Sequence, residues 1–125
     1  MPRNVADVTE TELAILDVLW TQGQSTIRDL VAALYDQHTP TLHMTVKSLL
    51  ERLEEKGYVE SDRSGFAHRF SAKLSREAYV GQQLKQLADS HFDGALAPML
   101  LTLVDRINLS RKDREAIRRI IDGIK

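Results

Sequence analysis

The chain has 125 residues, 42% of them hydrophobic and 28% charged, a balance that suits one modest core with an appendage and excludes a disordered polymer. Its net charge is −1, divided unevenly: residues 1–73 carry 8 Lys/Arg against 11 Asp/Glu, and residues 74–125 carry 9 against 7. The absence of cysteine excludes disulfides, thiolate metal sites and thiol redox sensing.

Thr9 followed by Glu12 forms a capping box, and Leu13, Leu16, Leu19 and Trp20 recur behind it at helical spacing, with Ile15 widening the stripe. This predicts a first helix from about residue 10 to 21, stopping before Gly23. Ser25 is the expected cap of a second helix with Ile27, Leu30, Val31 and Leu34 on its buried face. That helix should end near Gln37, because Thr39-Pro40 excludes continued α-helix ahead of the proline. A third helix should start at Thr41 or Leu42, bury Val46, Leu49, Leu50 and Leu53, and end at the glycine cap Gly57.

After Gly57 the period changes. Tyr58–Ser61 reads as a strand, Asp62–Gly65 as a turn and Phe66–Phe70 as a returning strand. Ser75 then caps a fourth helix, with Glu77 in its first turn and Val80, Leu84, Leu87 and His91 on one face. The segment from Phe92 to Val104 is apolar on several sides and interrupted by Pro98, so its helix limits are not set by pattern. Ser110 with Asp113 caps a last helix lined by Ile117, Ile120, Ile121 and Ile124. The change of character near Lys73 divides the chain into residues 1–73 and 74–125.

Three capped helices followed by a hairpin is the order of a winged helix, so the expected fold is mainly α with a small β wing: a winged helix-turn-helix and then a helical arm. In such a fold the second helix of the helix-turn-helix, here the third of the chain, enters the major groove of double-stranded DNA. Its N-terminal half offers Thr41, His43, Met44, Thr45, Lys47 and Ser48, with Arg52 one turn on. Hydroxyls suit phosphates or base edges, Lys47 and Arg52 suit phosphate or guanine, and Met44 suits a thymine methyl. Glu51, Glu54 and Glu55 stand on the C-terminal half, away from the groove-entering end. In the hairpin, Arg63, His68 and Arg69 are placed to straddle a phosphate backbone, or else to protect a strand edge from pairing. Exposed Thr, Ser and Lys on a helix are ordinarily a solvated face, and no basic footprint announces a nucleic-acid binder. Position along the helix, not overall charge, carries the DNA expectation.

The stretch Thr45-Val46-Lys47-Ser48-Leu49-Leu50-Glu51-Arg52-Leu53-Glu54-Glu55-Lys56-Gly57-Tyr58-Val59 resembles the recognition-helix signature of the penicillinase-repressor family, the BlaI, MecI and CopY type. Thr11-Glu12-Leu13-Ala14-Ile15-Leu16-Asp17-Val18-Leu19-Trp20 is similar to the family's first helix, and a weaker likeness runs through Asn108-Leu109-Ser110 into the last helix. The resemblance implies a homodimeric transcriptional repressor on an inverted-repeat operator, with Thr45, Lys47, Ser48 and Arg52 at positions that touch DNA. Two departures narrow it. The copper-responsive branch has a C-terminal cysteine motif, and this chain has no cysteine. The β-lactam-responsive branch is inactivated by cleavage of an Asn–Phe bond that aligns with Thr102–Leu103, where neither residue is kept. The inducing partner is therefore open between a sensor protease and a small-molecule inducer.

The arm is expected to dimerise, through Leu84, Leu87, Leu96, Leu100, Leu103, Val104, Ile117 and Ile121, because its apolar residues exceed what three short helices bury against one another. Two other readings compete: a winged helix used for protein contact, which the acidic first part favours, and a regulator whose arm encloses a small ligand. No enzyme motif, cofactor loop or metal-ligand spacing is present; His38, His43, His68 and His91 are dispersed along the chain. No apolar run reaches the roughly 20 residues of a membrane span. Met1-Pro2-Arg3-Asn4 lacks a signal-peptide core, so the expected setting is the cytoplasm, without a membrane partner.

Overall fold

A computed structural model describes residues 8–123. Its elements are α1 (Glu10–Gln22), α2 (Ile27–Leu34), α3 (Pro40–Lys56), β1 (Val59–Asp62), β2 (Arg69–Ala72), α4 (Arg76–His91), α5 (Leu96–Val104) and α6 (Arg111–Asp122). The mainly α fold with a two-stranded wing is the one the sequence predicts. Two compact units result, one reaching Val80 and one from Gly81 onward. Among the described residues no helix is long and apolar enough to cross a membrane.

The helix starts follow side-chain chemistry. At α1 the expected capping box is present: Glu12 N donates to Thr9 Oγ1 at 3.2 Å and Thr9 N donates to Glu12 Oε1 at 2.9 Å. The cap of α2 is Thr26, not Ser25, with Asp29 completing the box at 3.0 and 3.1 Å. Ser25 instead joins the sheet, exchanging two backbone hydrogen bonds with Phe70 at 2.9 and 2.8 Å. Helix α2 ends at Leu34, three residues earlier than Gln37, with Tyr35 already extended. Helix α3 begins at Pro40 with Thr39 as its cap, since a proline's missing N–H costs nothing at the first helical position. Gly57 closes it in the left-handed region at φ 87°, where a Cβ would be strained.

The wing pairs Val59 with Ala72 and Asp62 with Arg69, so the returning strand starts three residues and ends two residues later than the Phe66–Phe70 reading. Pairing to Ser25 turns Phe70 into the core and leaves residues 63–68 as the loop at the hairpin tip. The core of the first unit is Ile15, Leu16, Leu19, Leu30, Val31, Val46, Leu49, Leu50, Leu53, Tyr58, Val59, Phe70 and Tyr79. Trp20 holds the start of α4 to α1: its Nε1 donates to the Leu74 carbonyl at 2.9 Å, Tyr79 lies 5.5 Å from its ring, and the Arg76 guanidinium stands 5.5 Å above it. The first turn of α4 is accordingly part of the first unit.

In the second unit, Asp93 and Gly94 adopt positive φ in the turn between α4 and α5, and Pro98 falls in the first turn of α5, where it breaks no helical bond. Ser110 caps α6 through Asp113 N at 3.0 Å, as expected, while Ile124 lies outside the described residues.

Candidate nucleic-acid interface

Helix α3 buries one stripe and leaves the opposite face to solvent, because residues three and four apart share a face. Along its exposed N-terminal half, Pro40, Thr41, Met44, Thr45, Ser48, Leu49 and Arg52 line an open concavity of about 570 Å³. Thr45 Oγ1 donates to the Thr41 carbonyl at 2.9 Å, which leaves its lone pairs to accept from a ligand. A second hollow, of about 380 Å³, lies where the wing tip meets α2 and α3 and is lined by Thr26, Ile27, Arg28, His43, Lys47, Phe66, Ala67 and His68. Every expected residue of α3 lines one of the two hollows, and His68 joins His43 and Lys47 in the second. Neither lining contains a carboxylate.

Arg63 and Arg69 sit apart from this group. Arg63 is committed locally, to Ser61 Oγ at 2.9 Å and to Glu54 Oε1 at 3.1 Å near the end of α3. Arg69 lies between two aspartates whose carboxyls are held below the usual range. For Asp29 the cause is its hydrogen bonds from the backbone and hydroxyl of Thr26, for Asp62 those from Ser64, and Arg69 adds an attractive charge to both. His38 and His43, far from scattered, meet edge to face at 5.6 Å beside the start of α3. Among the described residues no group of three or more His, Cys, Asp or Glu is placed to hold a metal ion.

The sequence reading missed Arg28 and Phe66. Arg28 stands two residues after the cap of α2, in the first turn of the helix that in a helix-turn-helix ordinarily crosses the DNA backbone, so its position was a usable signal. Phe66 was read as a strand residue and is the most exposed apolar side chain of the wing.

In the second unit, all eight expected interface residues are exposed in the protomer, and α5 has no buried residue at all. Leu84, Leu87, Leu96, Leu100 and Leu103 gather with Phe92 and Met99 around an apolar hollow of about 590 Å³. Ile117 and Ile121 line a separate one with Leu109. Val104 lines neither, although it too is exposed.

The sequence profile described as "Penicillinase repressor" matches residues 8–123. The chain belongs to the penicillinase repressor family. It is by that membership a transcriptional repressor and not an enzyme. The repressor is 29% identical to the transcriptional regulator BlaI of Mycobacterium tuberculosis, over 90% of this chain and 80% of that protein. It is 16% identical to the methicillin resistance regulatory protein MecI of Mammaliicoccus sciuri over 98% of both chains. An uncharacterized 16.5 kDa protein from the ptsI 3′ region of Latilactobacillus sakei is 24% identical over 90% of this chain and 77% of its own. Thr102 and Leu103 of the repressor lie inside α5, where Thr102 Oγ1 donates to the Pro98 carbonyl at 2.9 Å.

Proposed function

We propose that this repressor binds an inverted-repeat DNA operator as a homodimer, each first unit laying the N-terminal half of α3 in a major groove and the wing across the adjoining backbone. The second units form the dimer. The observation that supports this reading most is the carboxylate-free hollow where Arg28 and Lys47 meet His43 and His68. The acidic balance of residues 1–73 is offset in part, because several of the acids are already engaged by other groups. Glu12 is paired with Lys56, Asp29 caps α2, Glu54 holds Arg63, and Asp62 accepts from Ser64. The linings of the two hollows themselves carry hydroxyls, cationic side chains and imidazoles and no carboxylate.

The test is selection of bound sequences from a random duplex pool with the full chain, followed by titration at several salt concentrations. An inverted-repeat consensus and a steep linear fall of log K with log salt are expected, since cations that neutralise phosphates release counterions. No enriched sequence, or affinity indifferent to salt, would point to a protein-docking winged helix instead.

Lys47→Ala and Arg52→Ala probe the reading helix directly. Both side chains are exposed and off the Val46/Leu49/Leu50/Leu53 stripe, so neither leaves a cavity. Each is expected to weaken binding with unchanged thermal stability. A phosphate contact lowers the salt slope by about one, whereas a base contact costs roughly 1–3 kcal/mol and relaxes sequence preference. If both variants bind as the parent does, α3 is not the reader.

A further inference from the structure

In the first unit, the large apolar side chains standing exposed among the described residues are Met44, Phe66 and Val80, with Phe66 at 108%. Val80 lies on α4, on the face that continues into Leu84 and Leu87. Met44 and Phe66 are both on the candidate DNA-facing side, one on α3 and one at the tip of the wing. Phe66 has small neighbours, Gly65 and Ala67, and its ring has no place in the core. It forfeits the burial a phenylalanine ordinarily gains.

The hollow it lines carries two cations from the helices, Arg28 and Lys47, and the His43 and His68 imidazoles, with no carboxylate. Charge complementarity suits it to one phosphodiester strand. With α3 in the major groove, that strand has the major groove on the α3 side and the minor groove on the wing side. Phe66 is then on the minor-groove side. A phenyl ring offers phosphate nothing, but a minor groove accepts an apolar wedge, which partly unstacks a base step and kinks the duplex. Pyrimidine–purine steps yield most easily.

Resting on the DNA-binding reading above, we infer that Phe66 is a shape-reading wedge: it enters the minor groove flanking each half-site, bends the duplex, and selects a deformable step there. This gives sequence preference at a position that no hydrogen-bonding side chain of α3 reaches.

The test compares the full-length parent, Phe66→Ala, Phe66→Leu and Lys47→Ala on the duplex selected by the parent, labelled at both ends for energy transfer. Phe66→Ala should bind roughly tenfold more weakly, the loss of one base-stacking contact. It should also bend the duplex less, by on the order of 20°. Its salt slope should be unchanged, whereas Lys47→Ala loses slope. Phe66→Leu should keep most of the bend. Replacing the flexible flanking step by a stiff A-tract should weaken the parent and leave Phe66→Ala indifferent. Equal affinity, bend and step preference in the parent and Phe66→Ala would make the ring a bystander and overturn the inference. A lowered salt slope in Phe66→Ala would also overturn it, by showing that the wing was lost as a phosphate contact. If the parent itself selects no duplex, the DNA-binding reading fails first, and the wedge with it.

Discussion

Replacing Leu87 and Leu103 together by Asp is expected to turn the repressor into a monomer and to weaken operator binding by on the order of 10²–10⁴. The two leucines line the same apolar hollow of the second unit and are 44% and 52% exposed in the protomer. An Asp at either position is solvated in the isolated protomer, so folding is little affected. In a dimer whose apolar faces meet there, each carboxylate would be buried without a partner, which costs far more than the leucine contact it replaces. On the proposed homodimeric reading, breaking the dimer removes the effective concentration that would let the second copy of α3 bind once the first is seated. Sedimentation and helical circular dichroism give the check: a monomer with unchanged helicity supports the arm as the interface. A variant that remains dimeric would move the interface elsewhere, and one that is monomeric but binds the operator undiminished would separate dimerisation from DNA recognition.

The division between what the sequence discloses and what it hides follows the range of the interactions. Local signals were legible: the Thr9/Glu12 box, the Ser75 and Ser110 caps and the Gly57 stop each depend on side chains within a few residues. Ser25 was misread because its partner is Phe70, a pairing across 45 residues that periodicity does not carry. The same pairing sets the wing's register, so of the Phe66–Phe70 stretch only Arg69 and Phe70 belong to β2 and residues 66–68 lie in the loop. The candidate DNA-facing side of α3 follows from its apolar stripe, because most residues off the stripe are exposed, His43 being half-buried. The hollow that joins Arg28 and Phe66 to that face was not legible, since it is assembled from three elements distant in sequence. Equally hidden was the way the acids are occupied: composition shows only their excess, and the pairings show that several of them are engaged away from the candidate interface.

One of those pairings has the largest expected effect on stability. Glu12 is fully buried, accepts from Lys56 Nζ at 2.8 and 3.0 Å, and completes the capping box of α1. Burial pushes its carboxyl up, but the hydrogen bonds from Lys56 and from the backbone and hydroxyl of Thr9 outweigh it, so the group is held below the ordinary glutamate value. A depressed value in the folded state means that the stabilisation is complete above the ordinary glutamate range and is lost as pH falls through and below it. Lys56→Met strands a buried carboxylate and is expected to cost about 3 kcal/mol near neutrality, on the order of 10 °C in Tm. The exposed pair Arg76–Asp17, at 3.8 Å, supplies the contrast: Asp17→Asn should cost under about 1 kcal/mol. Denaturant titrations of the parent and Lys56→Met across the acid range should show the gap between them narrowing as Glu12 protonates, since a neutral carboxyl no longer depends on the ammonium. A gap that stays constant with pH would show that Lys56 acts through its packing and not through its charge.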